Sequence, residues 1–125
     1  MTLNQYGDIS FLVLRLAVAA IFIYHSLPKL KNYQGMSKAI GMPAGMILAL
    51  GMVELVSSLG MVFGVYVRFA ALILAIVMIG AIYLKTAKWG VPFAAMDKTG
   101  WEFDLILLAA AVVLLANGGG SIGIL

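Results

Sequence analysis

Four apolar runs alternate with polar connections along this chain. Each run approaches the roughly 20 residues that an α-helix needs to cross the hydrocarbon core of a bilayer. Runs of this length favour helices, which satisfy their own backbone hydrogen bonds inside lipid. The pattern predicts an all-α integral membrane protein, a four-helix antiparallel bundle formed by a single transmembrane domain over residues 1–125. The predicted helices cover residues 9–27, 44–66, 68–84 and 101–117.

Composition agrees with a membrane protein. Hydrophobic residues make up 64% of the chain and charged residues 10%, and the mean hydropathy is +1.11. In soluble domains about a quarter of the residues are charged. The first ten residues carry no basic cluster of the kind that precedes a cleaved signal sequence, so we expect the first run to remain in the mature protein.

The connections predict several local features. Asp8 or Ser10 is a candidate cap for the first helix, and Pro28 is expected to end or kink it. We expect residues 28–43 to form a loop. Residues 85–100 mix lysines with aromatic residues, a composition typical of a segment that lies in the membrane interface.

Positive charge is distributed unevenly among the connections. Three lysines lie in or beside the first connection and three in the third, whereas Arg68 is alone at the second. Lysine and arginine concentrate in cytoplasmic loops. The distribution therefore predicts a multi-pass protein of the plasma (inner) membrane with both termini outside. Because these lysines flank membrane spans, the net charge of +3 does not indicate binding to nucleic acid.

The residue inventory limits the cofactors that this chain can hold. It contains no cysteine and one histidine, His25. One chain therefore cannot supply a thiolate site, a multi-histidine metal centre or a bis-histidine haem. We expect no metal and no covalently bound cofactor. A redox cofactor would have to come from the membrane, for example a quinone, or from a partner protein.

Charged residues inside the apolar runs are the first candidate site. A charge at membrane depth costs at least a few kcal/mol, so such residues are usually paired and often functional. Arg15 in the first helix and Glu54 in the second are separated by a vertical gap of roughly 10 Å, from the helical rise. We expect an Arg15–Glu54 ion pair, with Arg68 as a further member. Such a pair could fix helix register, or it could hold a carboxylate for proton exchange or a polar ligand.

A second group of polar residues is expected at the cytoplasmic end. Thr99 and Glu102 match a capping box at the start of the fourth helix, and Lys85 can complement the carbonyl end of the third helix. Asp104 has no such structural role. Histidine changes its charge near neutral pH, so His25 is a candidate proton carrier or ligand donor, although a packing role is also open. We predict that His25 and Asp104 flank the same interior, with the carboxylate orienting the ring.

The order of these motifs resembles the DoxX family of small membrane proteins, over nearly the whole chain. The motifs are an arginine at 15, HSLPKL at 25–30, a glutamate at 54, GVYVRFAA at 64–71, GWEFDL at 100–105 and a glycine-rich close at 117–121.

The resemblance implies a four-helix bundle in the plasma membrane and a link to quinone-dependent oxidoreductases and to oxidative or thiol stress. It also implies that the recurrent polar positions of the family are Arg15, His25, Lys29, Glu54, Arg68, Glu102 and Asp104. One departure is the tail, because relatives often carry an acid after the last glycines and this chain does not.

Three functional hypotheses follow. The first is a membrane subunit of a quinone-linked oxidoreductase or stress-response assembly, which binds a quinone or another small apolar ligand. The second is a structural or chaperone-like accessory subunit, and the third is a small transporter or channel. Whether the chain is an enzyme by itself stays open, as do its redox partner proteins and a homo-oligomeric state. The candidates for ligand binding or proton exchange are Arg15, His25, Lys29, Glu54, Arg68 and Asp104.

Overall fold

The computed structural model describes residues 3–94 and 100–118. All regular structure in these residues is helical, which confirms the predicted all-α class. The elements are α1 (Leu3–Lys31), α2 (Tyr33–Ile40), α3 (Ala44–Phe63), α4 (Val67–Tyr83), a π-helical turn (Leu84–Lys88) and α5 (Trp101–Asn117).

Three stretches are long and apolar enough to cross a membrane. Within the described residues they are Tyr6–Lys31, Ala44–Phe63 and Val67–Lys88. They contain 26, 20 and 22 residues, close to the roughly 20 that a crossing needs. The protein is therefore a multi-pass membrane protein. Helix α5 has the bounds expected from the sequence and, at 17 residues, is shorter than these three.

Helix α1 is longer at both ends than the predicted helix. Ser10 lies inside the helix and its hydroxyl donates to the carbonyl of Tyr6 at 2.8 Å, so neither Asp8 nor Ser10 caps it. The helix continues through Pro28 to Lys31. Proline removes one N–H donor from a helix, but its carbonyl still accepts a bond. Here the carbonyl of Pro28 accepts from the amide of the residue after the helix, at 2.8 Å.

Helix α2 occupies a segment for which we expected a loop. It contains 8 residues, too few for a hydrophobic periodicity to show clearly in the sequence. Asn32 precedes it, and Gly41 ends it in a left-handed conformation with φ of 74°. The amide of Gly41 donates to the carbonyl of Ser37 at 3.0 Å, which satisfies one of the last carbonyls of the helix.

A tight turn joins α3 to α4. Gly64 and Tyr66 both have positive φ, 71° and 48°. The left-handed glycine ends α3 at Phe63, three residues before the expected end. At its other end α4 continues into the π-helical turn, so residues 85–88 of the expected interfacial segment are helical.

The start of α5 differs from the expected capping box. Gly100 occupies the N-cap position, and Thr99 lies outside the described residues. The amide of Glu102 donates to the carbonyl of Phe93 at 3.0 Å, so preceding backbone satisfies a donor of the first turn. A Cβ at Gly100 would collide with the backbone of Phe93, which explains why a glycine stands there.

Four long helices pack in a ring of neighbours. Helix α1 packs on α3, α3 on α4, α4 on α5 and α5 on α1, while α2 packs on α3 and α1. Their shared core is apolar and includes the fully buried side chains of Phe22, Met61, Leu74 and Leu114. Toward the end of the molecule opposite the α3–α4 turn, this core gives way to a cavity.

Candidate functional site

A cavity of about 590 Å³ lies at this end of the helices. Its volume is within the range of roughly 300–1,000 Å³ that small-molecule sites usually have. All five α-helices contribute to its walls, and most of the lining is apolar. The titratable side chains that line it are His25, Lys29, Glu54, Lys85 and Asp104.

The first ion pair in the wall joins α1 to α3. The ammonium of Lys29 donates to both carboxylate oxygens of Glu54, at 2.7 and 2.8 Å. The Glu54 side chain is 1% exposed and that of Lys29 is 23% exposed. Gly51, one turn before Glu54, allows the close approach of the two helices, because a Cβ there would lie 2.9 Å from the Cβ of Lys29.

The sequence analysis predicted Arg15 as the partner of Glu54, and this prediction is wrong. Arg15 is buried, and its Nε donates to the carbonyl of Met61 at 2.9 Å. Met61 lies seven residues after Glu54 in α3, about 10 Å farther along the helix axis. The register of α1 on α3 therefore brings Lys29 to the carboxylate and places Arg15 toward the α3–α4 turn.

The second ion pair joins the π-helical turn to α5. The ammonium of Lys85 lies 2.7 Å from Oδ2 of Asp104, and the two side chains are 16% and 6% exposed. We expected Lys85 to complement the carbonyl end of its own helix. It reaches across the cavity wall to Asp104 instead. Single π-helical turns are frequent at functional sites.

His25 lies between the two ion pairs on the cavity wall. Its ring packs on Phe103 with a centroid distance of 5.3 Å, and it is within electrostatic range of Lys29, Lys85 and Asp104. His25 and Asp104 line the same cavity, as the sequence indicated. The Asp104 carboxylate pairs with Lys85, and the ring of His25 packs on Phe103.

Two of the predicted site residues lie elsewhere. Arg68 is exposed, and its Nε lies 3.0 Å from the place where a Cβ of Gly118 would stand, at the opposite end of the molecule from the cavity. Arg15 is buried between α1 and α3 but does not line the cavity. The structure thus brings together His25, Lys29, Glu54 and Asp104 and leaves Arg15 and Arg68 apart from them.

Sequence reasoning missed several apolar members of the site. Met36, Met42, Met46 and Met78 line the cavity together with Trp89. Three of these methionines fall within eleven residues around the α2–α3 connection, and the chain has eight in all. Methionine side chains are flexible and polarisable, and they are common where a surface adapts to a ligand. That concentration was a signal for an apolar binding site.

The arrangement offers hydrogen-bond donors inside an apolar cavity. Each ammonium has three donors, and an imidazole can donate or accept. The two ion pairs balance, so a neutral ligand with acceptor oxygens fits the charge of the site. Within residues 3–94 and 100–118, acidic and histidine side chains form no group that could hold a metal ion.

Comparison with known proteins places the chain in a family. The DoxX profile matches residues 10–87, more than half of the chain. A Bacillus subtilis (strain 168) protein named "Putative oxidoreductase CatD" is 30% identical in an alignment of 119 residues that covers 93% of this chain and 84% of that protein. An uncharacterised Haemophilus influenzae protein is 30% identical in an alignment of 124 residues that covers 95% of this chain and 90% of that protein. No solved structure matches the chain. The cavity and its ion pairs therefore belong to a member of the DoxX family.

Proposed function

We propose that this protein is the membrane subunit of a quinone-linked oxidoreductase assembly and that the cavity binds the quinone. The observation that carries the proposal is the cavity itself, an apolar space at membrane depth with two ammonium groups and an imidazole in its wall. A quinone ring is apolar and uncharged, and its carbonyl oxygens accept hydrogen bonds. Lys29, Lys85 and His25 are the groups that would donate to them.

A partner protein supplies the redox centre in this proposal. The described residues offer no metal-binding group and the chain has no cysteine, whereas the name of the Bacillus subtilis relative refers to an oxidoreductase. The role of this chain is to bind the quinone, exclude water from it and orient its carbonyl groups. A role of the assembly in oxidative or thiol stress is compatible with such chemistry.

The architecture that goes with this function is a four-helix antiparallel bundle in the plasma membrane, formed by a single domain. Helix α5 is the fourth crossing: its 17 residues extend about 26 Å, close to the thickness of the hydrocarbon core. An even number of crossings places both termini on one side. The lysine-rich connections are cytoplasmic in this arrangement, so the termini lie outside.

Single cysteines test this orientation against a native background without cysteine. Ala39 is exposed in α2, and Tyr66 is 71% exposed in the α3–α4 turn. In intact cells we expect a membrane-impermeant maleimide to label Tyr66→Cys and not Ala39→Cys. Both should react after the cells are permeabilised, which controls for access. The reverse pattern in intact cells would overturn the predicted topology.

Binding of a tailless quinone tests the proposed function. We expect menadione, at a hundredfold excess over its dissociation constant, to stabilise the purified protein by about 2.7 kcal/mol. Ala81 lines the cavity, so Ala81→Phe should occupy the ligand's space and abolish the effect. Stability is read from thermal unfolding in mild detergent.

Ala109→Phe is the matched control, because Ala109 is exposed on α5 and does not line the cavity. Its protein should respond to menadione like the wild type. If the wild type shows no stabilisation although both variants fold, the quinone proposal is wrong, and a structural accessory role becomes the better explanation of the ion pairs.

A further inference from the structure

Helices α3 and α4 are close together at the turn that joins them. A Cβ at Gly60 would lie 3.7 Å from the Cβ of Ala70 and 3.0 Å from the carbonyl oxygen of Val65. The glycine therefore permits direct contact between the two helices at this end. From here the helices run toward the cavity.

At the cavity the same two helices no longer close against each other. Met46 on α3 and Ile76 on α4 both line the cavity, yet they are 51% and 60% exposed. Gly80, one turn after Ile76, also lines the cavity and is exposed. Side chains that line a cavity and are also exposed lie at its opening. One opening of the cavity therefore lies between α3 and α4, and a second exposed part of its lining lies at Pro28 and Trp89.

This opening lies at membrane depth. Ile76 is the tenth residue of the 22-residue span Val67–Lys88, about 14 Å from its first residue along the helix axis. The hydrocarbon core is about 30 Å thick, so this position is near its middle. Met46, by contrast, is the third residue of the span Ala44–Phe63, so the opening extends from near the middle of the core toward one boundary. Lipid chains meet the part beside Ile76.

We propose that the cavity opens sideways into the bilayer between α3 and α4, and that its ligand is an amphiphile whose hydrocarbon tail leaves through this opening beside Gly80. The inference rests on the proposed function and narrows its ligand to a long-tailed quinone. The head lies among the two ion pairs and His25. The tail remains in the acyl-chain region, so it need not be transferred out of an apolar environment.

The environment of Gly80 fits an opening and not a packing contact. A Cβ at Gly80 would meet no atom within 4 Å, in contrast to Gly60 and Gly51. Glycine in a helix interior is less favourable than alanine by roughly 1 kcal/mol, so another reason is needed for its presence. Gly45 is equally open, and what distinguishes Gly80 is that it lines the cavity, where the space can hold a ligand's chain. A large side chain here would narrow the opening without displacing backbone.

The test compares two quinones that differ only in the tail. Menadione has the head alone, and menaquinone-4 has the same head with an isoprenoid tail. Binding is followed in nanodiscs by quenching of Trp89, which lines the cavity, in a Trp101→Phe background. We expect Gly80→Phe to lower the affinity for menaquinone-4 by at least about tenfold. The affinity for menadione should change by less than about twofold.

Gly45→Phe is the matched control. Gly45 is helical and exposed, a Cβ there meets no atom within 4 Å, and it does not line the cavity. This variant should bind both quinones like the parent. The proposal is overturned if Gly80→Phe leaves menaquinone-4 binding unchanged, or if it weakens both quinones equally, because the tail would then not pass Gly80.

A second measurement separates failure of the opening from failure of the proposed function. Phosphatidylcholine with a doxyl label at mid-chain quenches tryptophans that lipid chains can reach. If neither quinone binds the parent, the proposed function fails. In that case, weaker doxyl quenching of Trp89 in Gly80→Phe than in Gly45→Phe still supports a lateral opening, occupied by a lipid chain. Equal quenching in the two variants would overturn the proposed lateral opening. Cross-links showing that a second copy of the chain covers this opening would also overturn it.

Discussion

Lys29→Met is expected to destabilise the protein by about 3–5 kcal/mol, because it leaves the buried carboxylate of Glu54 without its counter-charge. Glu54→Gln should cost less, since the Lys29 side chain is 23% exposed and its ammonium can reach solvent or headgroups. The double variant should be more stable than Lys29→Met alone, because no charge is stranded. The free energy of unfolding is measured by steric trapping in bicelles for the wild type, the two single variants and the double variant.

Lys31→Met is the matched control for this cycle. Lys31 is an exposed lysine two residues away in α1 and does not line the cavity. Exposed charges away from such features usually change stability by less than about 0.5 kcal/mol. Strictly additive losses from Lys29→Met and Glu54→Gln would show that the two side chains do not interact in the membrane.

His25→Phe is expected to lower the affinity for menadione by about 2- to 10-fold while leaving the fold intact. Phenylalanine retains the aromatic packing on Phe103 but removes the ring nitrogens, so a hydrogen bond to the ligand is lost without a cavity in the wall. A hydrogen bond between uncharged groups contributes about 0.5–1.5 kcal/mol. Isothermal titration in detergent measures the affinity, and circular dichroism checks the helical content.

Glu102→Gln serves as the control at the same end of the molecule. Glu102 is exposed in the first turn of α5 and does not line the cavity. A negative charge near a helix N-terminus contributes about 0.3–1 kcal/mol, so this change should lower stability slightly and leave affinity unchanged. Loss of binding in Glu102→Gln with normal binding in His25→Phe would mean that these two residues have the opposite roles.

The positions of the long apolar runs in the sequence predicted most of the fold. Helix α5 has the expected bounds and α3 begins at the expected residue, because each long apolar run ends at a polar or glycine-containing segment. Short elements were harder to predict. Helix α2 has only about two turns, and the π-helical turn looked like an interfacial connection because its two lysines interrupt the hydrophobic pattern.

The sequence identified most of the charged residues of the site, but it did not predict which of them form ion pairs. Charge at membrane depth identified Glu54, because such a residue needs a partner inside the protein. Asp104 was identified because it has no capping role, and Lys29 was implied by the family resemblance. Their partners depend on how one helix is shifted along another. That shift is set by details such as Gly51 against Lys29, which helical periodicity within a single run does not contain.

The three-residue turn between α3 and α4 bears on how the chain enters the membrane during synthesis. Two apolar helices with so short a link leave the ribosome as a hairpin that can partition into lipid as one unit, and Arg68 is the charged residue closest to the turn. Helix α1 is made first, so Lys29 is already at its depth when Glu54 arrives. The Glu54 carboxylate can then pair with Lys29 as α3 inserts, so an unpaired carboxylate is not exposed to lipid.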